Sequence, residues 1–117
     1  CSQANSLTDT VGVVSSGIRQ NNIDVLQKMV DSSPKGKVAT MSIYCMGISA
    51  AFAASGKRDW YMMSGGALWD HAAPSLILEE SGCKITTIEG KPWTFKENTM
   101  LAANPKLHEY ISTAITK

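Results

Sequence analysis

No stretch of this sequence approaches the roughly 20 consecutive apolar residues that a membrane span needs. The most apolar run, Met46 to Ala54, is too short for that and reads as a helix buried on most of its faces. Neither charge is in excess: eleven basic and ten acidic residues leave a formal +1 and a pI near 7.9. A nucleic-acid surface would need a clustered basic surplus, and the Lys and Arg residues here are dispersed. Cysteine is sparse and odd in number, and Cys1, Cys45 and Cys83 match no Cys-x-x-Cys metal spacing. A secreted disulfide scaffold is thereby disfavoured, and the expectation is reduced thiols in a cytoplasmic protein, with Cys45 and Cys83 buried and inert. Repeats, low-complexity tracts and Pro-, Gly- or Ser-rich linkers are missing too. What is present is a chain of 117 residues, 44% hydrophobic and 18% charged, the composition and length of one ordinary globular domain over residues 1–117. It opens on Cys1 rather than Met, with a polar stretch Ser2–Asn5 and neither the basic nor the apolar region of a signal peptide. A piece of something longer, or a processed start, is expected.

The apolar segments alternate between strand-like and helix-like, which predicts an α/β fold. Strands are expected at Thr10–Ser15 (bounded by Gly17), Lys37–Ser42, Asp59–Met63, Ile85–Ile88 and Met100–Ala103. The spacing of Ile23, Leu26, Met29 and Val30 predicts a helix over 23–30, capped by Asn22 and ended by Pro34 and Gly36. Met46–Ala54 is expected to close at Gly56. Gly65-Gly66 breaks the third strand before a helix over Asp70–Ser81, with Pro74 in its first turn and Gly82 in a left-handed closing position. Gly90-Lys91-Pro92 predicts a turn. Asn104-Pro105 supplies a cap and a first-turn proline for a last helix whose stripe is Leu107, Tyr110, Ile111, Ala114 and Ile115.

Asp70 is the carboxylate with most to say. Between a glycine loop and a helix start, it can either cap backbone N–H groups or project into a crevice as an oxygen ligand for a hard cation. His71 is expected to pack on or beside its helix, and His108 to lie on the polar side of the last one. Trp60, Trp69, Trp93 and Tyr61 are read as packing residues, and Glu79-Glu80 as a solvated face.

The longer segment Trp69-Asp70-His71-Ala72-Ala73-Pro74-Ser75-Leu76-Ile77-Leu78-Glu79-Glu80-Ser81-Gly82 resembles the carboxy-terminal signature of the inositol monophosphatase family: Trp-Asp-x-Ala-Ala, an apolar stretch, an acidic residue and a closing Gly-Gly pair. Val38–Gly56, with Cys45-Met46-Gly47-Ile48-Ser49-Ala50-Ala51, is similar to that family's strand and alanine-rich helix. Leu101-Ala102-Ala103-Asn104-Pro105, with Leu107-His108, is similar to its last strand and helix. The resemblance implies the second domain of a two-domain, Mg²⁺-dependent phosphomonoesterase, with a layered mixed sheet of about five strands flanked by helices. It implies that Asp70 ligates metal and helps orient the attacking water, and that Gly47, Ile48 and Ser49 contact the alcohol portion of the substrate. Family members place a glutamate that binds a substrate hydroxyl or amine seven positions before the aspartate, so the resemblance implies that Met63, which stands there in this chain, is the fourth substrate-side residue. That departure counts against an inositol or histidinol phosphate and leaves an adenosine bisphosphate or sugar phosphate open. Cys83 replaces the second closing glycine.

The family's amino-terminal ligands, including an Asp-Pro-Ile-Asp-Gly-Thr segment, do not occur in this chain. Two-metal phosphoryl chemistry clamps ions ~4 Å apart, which one carboxylate cannot do. The expectation is therefore a phosphatase fragment that is inactive alone, acting on a small phosphorylated metabolite when joined to its missing amino-terminal domain. The alternative is a non-catalytic binding or assembly module on the same scaffold. Separated from a partner domain, the chain should expose an apolar face and self-associate, for example as a homodimer.

Overall fold

The computed structural model describes residues 1–14, 20–32, 38–43, 45–65 and 68–116. Gly17, Pro34, Gly36 and Gly66, read above as breakers, and the strand ends Ser15 and Lys37 lie outside them. The elements follow the order β1 (Thr10–Val14), α1 (Gln20–Asp31), β2 (Val38–Ser42), α2 (Met46–Ala54), β3 (Trp60–Ser64), α3 (Leu68–Glu80), β4 (Lys84–Thr86), β5 (Thr99–Ala103) and α4 (Pro105–Ile115).

The strands form one mixed sheet in the order β2-β1-β3-β5-β4. β1 pairs in parallel with both β2 and β3, while β5 runs antiparallel to β3 and to β4. Strand periodicity of two then sorts the side chains. Val14, Trp60, Met62, Leu101 and Ala103 point to the face covered by Met29 of α1 and Leu107, Ile111 and Ile115 of α4. Val13, Tyr61, Met63, Met100 and Ala102 point to the face covered by Ala50 and Ala53 of α2 and Leu78 of α3. β3 is buried along its whole length, which is why its sequence, Trp-Tyr-Met-Met-Ser, shows no apolar–polar alternation. Asp59 fixes its start: the backbone N–H of Val11 donates to Asp59 Oδ2 at 2.8 Å, and Asp59 N–H donates to the Val11 carbonyl at 2.8 Å.

The crossover from β1 to β2 carries α1 on one face, and the return from β2 to β3 carries α2 on the other. Opposite steps with helices on opposite faces give both crossovers one hand, as strand twist requires. The parallel strands β1, β2 and β3 therefore all end at one edge of the sheet. Such an edge, where the connections diverge to opposite faces, is where open α/β sheets hold their ligands.

Local chemistry accounts for the ends of the helices. Asn104 caps α4, its side-chain oxygen accepting from Leu107 N–H at 3.0 Å, with Pro105 at the first helical position. Gly82 adopts φ 90°, and the N–H groups of Gly82 and Cys83 donate to the carbonyls of Glu79 and Leu78, both at 3.0 Å. This is a Schellman closure of α3.

Five expectations need correction. α1 is already formed at Gln20, so Asn22 lies inside its first turn and not at the cap position; an early polar residue costs a helix little there. Pro74 lies in the second turn of α3, not the first, and has no N–H for the carbonyl of Asp70 four residues earlier. α2 buries only Ser49, Ala50 and Ala53 and exposes Ile48 by 51%, so a uniformly apolar sequence here has one covered face and one open face. His108 is buried, not on a polar side: its Nε2 lies 2.8 Å from Thr86 Oγ1 and its Nδ1 3.4 Å from Ser112 Oγ, which supply the partners that an apolar stripe would not. Finally, Cys1 and Cys83 are joined in a disulfide, with Cα atoms 5.7 Å apart, and Cys45 alone is free. The count of three was read as thiols because pairing across 82 positions has no local signature. The compartment argued from reduced thiols loses that support. No helix among the described residues is long and apolar enough to cross a membrane.

Candidate active site at the carboxyl edge of the parallel strands

Two helices start at the edge where β2 and β3 end. The chain leaves β3 through Gly65, whose φ of 81° suits a residue without Cβ, and whose N–H donates to the Asn98 carbonyl at 2.6 Å. Leu68, Trp69 and Asp70 form the first turn of α3. Asp70 is half-buried there, near the positive end of the helix macrodipole, which stabilises a carboxylate.

His71, fully buried, holds this turn to the loop before it. Its Nε2 is 2.8 Å from the Gly65 carbonyl. A carbonyl only accepts, so Nε2 carries a hydrogen. Among the described residues, Nδ1 is buried without a partner, as is the indole N–H of Trp93, whose ring centroid lies 6.1 Å away. Sequence reasoning treated His71 as packing alone and missed this tie. The signal available was its position directly after Asp70, inside a turn preceded by glycine.

The chain leaves β2 through Ile43 and enters α2 at Cys45. Cys45 is the N-cap in extended conformation and makes no side-chain cap hydrogen bond; a thiol is a weak acceptor. The first amides of α2 are thus not closed off by their cap, and helix N-termini of this kind bind anionic or hydroxyl oxygens. Gly47 sits in this turn, exposed, and a Cβ placed on it would meet nothing within 4 Å. Ile48 is exposed beside it. Ser49 is buried, its hydroxyl donating to the Ile43 carbonyl at 3.5 Å, and so braces the turn from behind. Met63 is also fully buried, its sulfur accepting from Tyr61 Oη–H at 3.2 Å. Of the four residues named for substrate contact, Gly47 and Ile48 are at the surface, while Ser49 and Met63 lie in the layer beneath.

The aromatic residues divide as well. Trp60 and Tyr61 are core, whereas Trp69 is 79% exposed beside Asp70. Trp69 shares an outward stripe of α3 with Leu76 and Ile77, and Glu79-Glu80 are exposed as expected.

Whether these residues fit a metal ion is decided by the donors. Asp70 supplies hard oxygens of the kind Mg²⁺ takes. No group of three or more His, Cys, Asp or Glu able to hold a metal occurs among the described residues. The described residues by themselves thus form no complete metal site.

A profile described as "Inositol monophosphatase family" matches residues 1–117. The chain is 42% identical over 73 residues to an inositol-1-monophosphatase of Bacillus subtilis, a match covering 62% of this chain and 28% of that protein. It is 30% identical over 101 residues to the inositol-1-monophosphatase ImpA of Mycolicibacterium smegmatis, covering 80% of this chain and 37% of that one. Among solved structures, the extragenic suppressor protein SuhB of Bartonella henselae superposes with a TM-score of 0.84 at 20% identity, over 99% of this chain and 45% of that chain. An inositol monophosphatase from Anabaena superposes with a TM-score of 0.81 at 22% identity, over 98% and 47%. The chain spans less than half the length of these relatives, and the superpositions establish the mixed five-stranded α/β fold.

Proposed function

The chain belongs to the inositol monophosphatase family, and from that premise we propose that it is the carboxy-terminal part of a Mg²⁺-dependent phosphatase hydrolysing a small phosphate monoester. The observation that carries this reading is Asp70, a half-buried carboxylate in the first turn of α3 at the edge where β1, β2 and β3 end. Magnesium, when bound, supplies an activated water and neutralises charge building on the phosphoryl oxygens. In this reading Asp70 would give the metal one carboxylate and help orient the attacking water. The first amides of α2, approached over the bare surface of Gly47, donate to substrate oxygens, and Ile48 forms an apolar wall. Ser49 and Met63 support that wall from beneath. The substrate is an inositol phosphate or a related monoester; because Met63 brings no charge to a polyol or an amine, an adenosine bisphosphate or a sugar phosphate stays open beside it.

The remaining ligands would come from an amino-terminal domain. The outer side of α2 and α3, with Ile48, Leu68, Trp69, Leu76 and Ile77 exposed, fits a face that such a domain covers. Without it, a second copy is the available cover, and the isolated chain forms homodimers. The lone carboxylate equally suits a non-catalytic assembly module, so one experiment separates the two. Phosphate release from small phosphomonoesters with Mg²⁺ is measured for the chain alone and for the chain joined to an amino-terminal half supplying the family's acidic ligands. The expected result is no turnover alone, turnover in the joined protein, and at least a hundredfold loss on Asp70→Asn (about 2.7 kcal/mol of transition-state stabilisation). A joined, folded protein indifferent to Asp70→Asn would sink the assignment.

A further inference from the structure

We propose, on the phosphatase reading above, that His71 is a positioning residue for Asp70: through Gly65 it fixes where the first turn of α3 stands against the ends of β3 and β5, and so how tightly the Asp70 carboxylate holds magnesium. The acceptor of its hydrogen bond is tied to the sheet. Gly65 follows directly on Ser64, the last residue of β3, which pairs with Thr99 of β5. The N–H of Gly65 donates to the Asn98 carbonyl at 2.6 Å, on the β5 side, while its own carbonyl accepts from His71 Nε2–H at 2.8 Å. The head of α3 is thus fastened to a pair of strands and not to a loose loop.

The donor is held as firmly. His71 is 1% exposed, its ring lies 6.1 Å from that of Trp93, and Trp93 meets Phe95 edge-on at 5.2 Å. Both aromatic residues belong to the connection between β4 and β5, so the imidazole packs against a second segment at this edge of the sheet. Among the described residues, the Gly65 carbonyl is the one hydrogen-bond partner of the ring. The helical ladder cannot fix this turn through residue 74, because Pro74 has no N–H to donate toward the Asp70 carbonyl. Adjacent residues leave a helix about 100° apart around its axis. An imidazole pinned on the inner side therefore sets the direction in which Asp70 projects. A reacting or ligating group moved by about 1 Å can cost two orders of magnitude, and loss of a group that orients a metal ligand costs about 10- to 100-fold in affinity.

The test is calorimetric titration of Mg²⁺ into the joined protein described above, with phosphate release followed in parallel. His71→Gln places an amide N–H near the position of Nε2 and can still reach Gly65; His71→Asn ends near the position of Nδ1 and cannot. His71→Asn should weaken Mg²⁺ binding about tenfold or more, with a matching rise in the Mg²⁺ needed for half-maximal phosphate release, while His71→Gln stays within about threefold of the parent. Both lose the ring packed beside Trp93, so a residue that served packing alone would make the two variants alike. If His71→Asn does not fold, His71→Leu, which fills the space without a donor, takes its place with the same expected loss. Binding within about twofold of the parent in a folded Asn or Leu variant, or equal weakening in the Asn and Gln variants, would overturn the proposal. Either result, beside an Asp70→Asn variant that has lost Mg²⁺ binding, leaves the phosphatase reading standing. Binding indifferent to Asp70→Asn sinks that reading and the role of His71 with it.

Discussion

Gly12→Ala tests the packing of the sheet on its α1–α4 face. Gly12 pairs with Trp60 across β1 and β3, and both point toward that face. The indole lies where a side chain of residue 12 would stand. An ideal Cβ there falls 2.0 Å from Trp60 Cε2, 2.1 Å from Cδ2 and 2.3 Å from Cζ2. Carbon–carbon contact needs about 3.5 Å or more, so one methyl must drive the ring away by about 1.5 Å. The ring has nowhere to go: Trp60 is fully buried, packed in the cluster with Leu7, Val14 and Leu101, and its Nε1–H donates to Thr10 Oγ1 at 3.3 Å. Overpacking costs about 1–3 kcal/mol where the neighbours can yield. Here the expected loss is at the top of that range or beyond, about 3 kcal/mol. For a chain of this size that lowers the thermal midpoint by about 12 °C. Urea denaturation followed by circular dichroism measures it. In the Trp60→Leu background the same Gly12→Ala change should cost far less, because the clash has been removed. A loss under about 1 kcal/mol for Gly12→Ala, or strict additivity of the two changes, would refute the reasoning.

The remaining predictions follow from burial and charge. His108 has its pKa lowered from 6.5 to about 4, first by burial and then by Lys84. The folded state therefore refuses a proton that the unfolded chain accepts. The stability His108 contributes is fully present above pH 6.5 and is lost as pH falls toward 4. That lowering corresponds to at most about 3 kcal/mol, and His108→Gln should flatten that part of the urea-midpoint profile. Reduction of Cys1–Cys83, with its sequence separation of 82, should cost up to about 4.5 kcal/mol on the chain-entropy estimate, read as a drop in unfolding free energy. Leu76, 60% exposed on α3, lies in the face that self-association would use; Leu76→Glu should shift sedimentation of the isolated chain from dimer to monomer without lowering its helix content.

Much of the fold was legible because its signals are local. The Asn104-Pro105 start of α4, the glycine closures of α2 and α3, and the β-branched run of β1 each depend on a few adjacent residues. The Trp-Asp segment likewise marked Asp70 and with it the edge of the sheet. What failed depends on contacts between residues distant in sequence. His108 looks polar on its own helix and is buried only because Thr86, 22 positions away, meets it. Cys1 and Cys83 look like stray thiols until the fold brings their Cα atoms within 5.7 Å. Met63 was read as the last residue of its strand, on the substrate side, yet β3 runs one residue further and Met63 is fully buried. Pro74 misled for another reason: a proline is expected near a helix start, and the two residues at the head of α3, Leu68 and Trp69, carried no capping signature.

Asn104 couples parts of the molecule that lie far apart along the chain. Its oxygen holds the first turn of α4, and its amide holds the carbonyls of Ser2 and Ala4, about a hundred positions earlier. A helix start that frays must drop both grips together, because a single rotatable amide cannot keep one while surrendering the other. The first and last segments of the polypeptide should accordingly exchange their amide hydrogens as one cooperative unit, opening and closing in step although no strand pairing joins them.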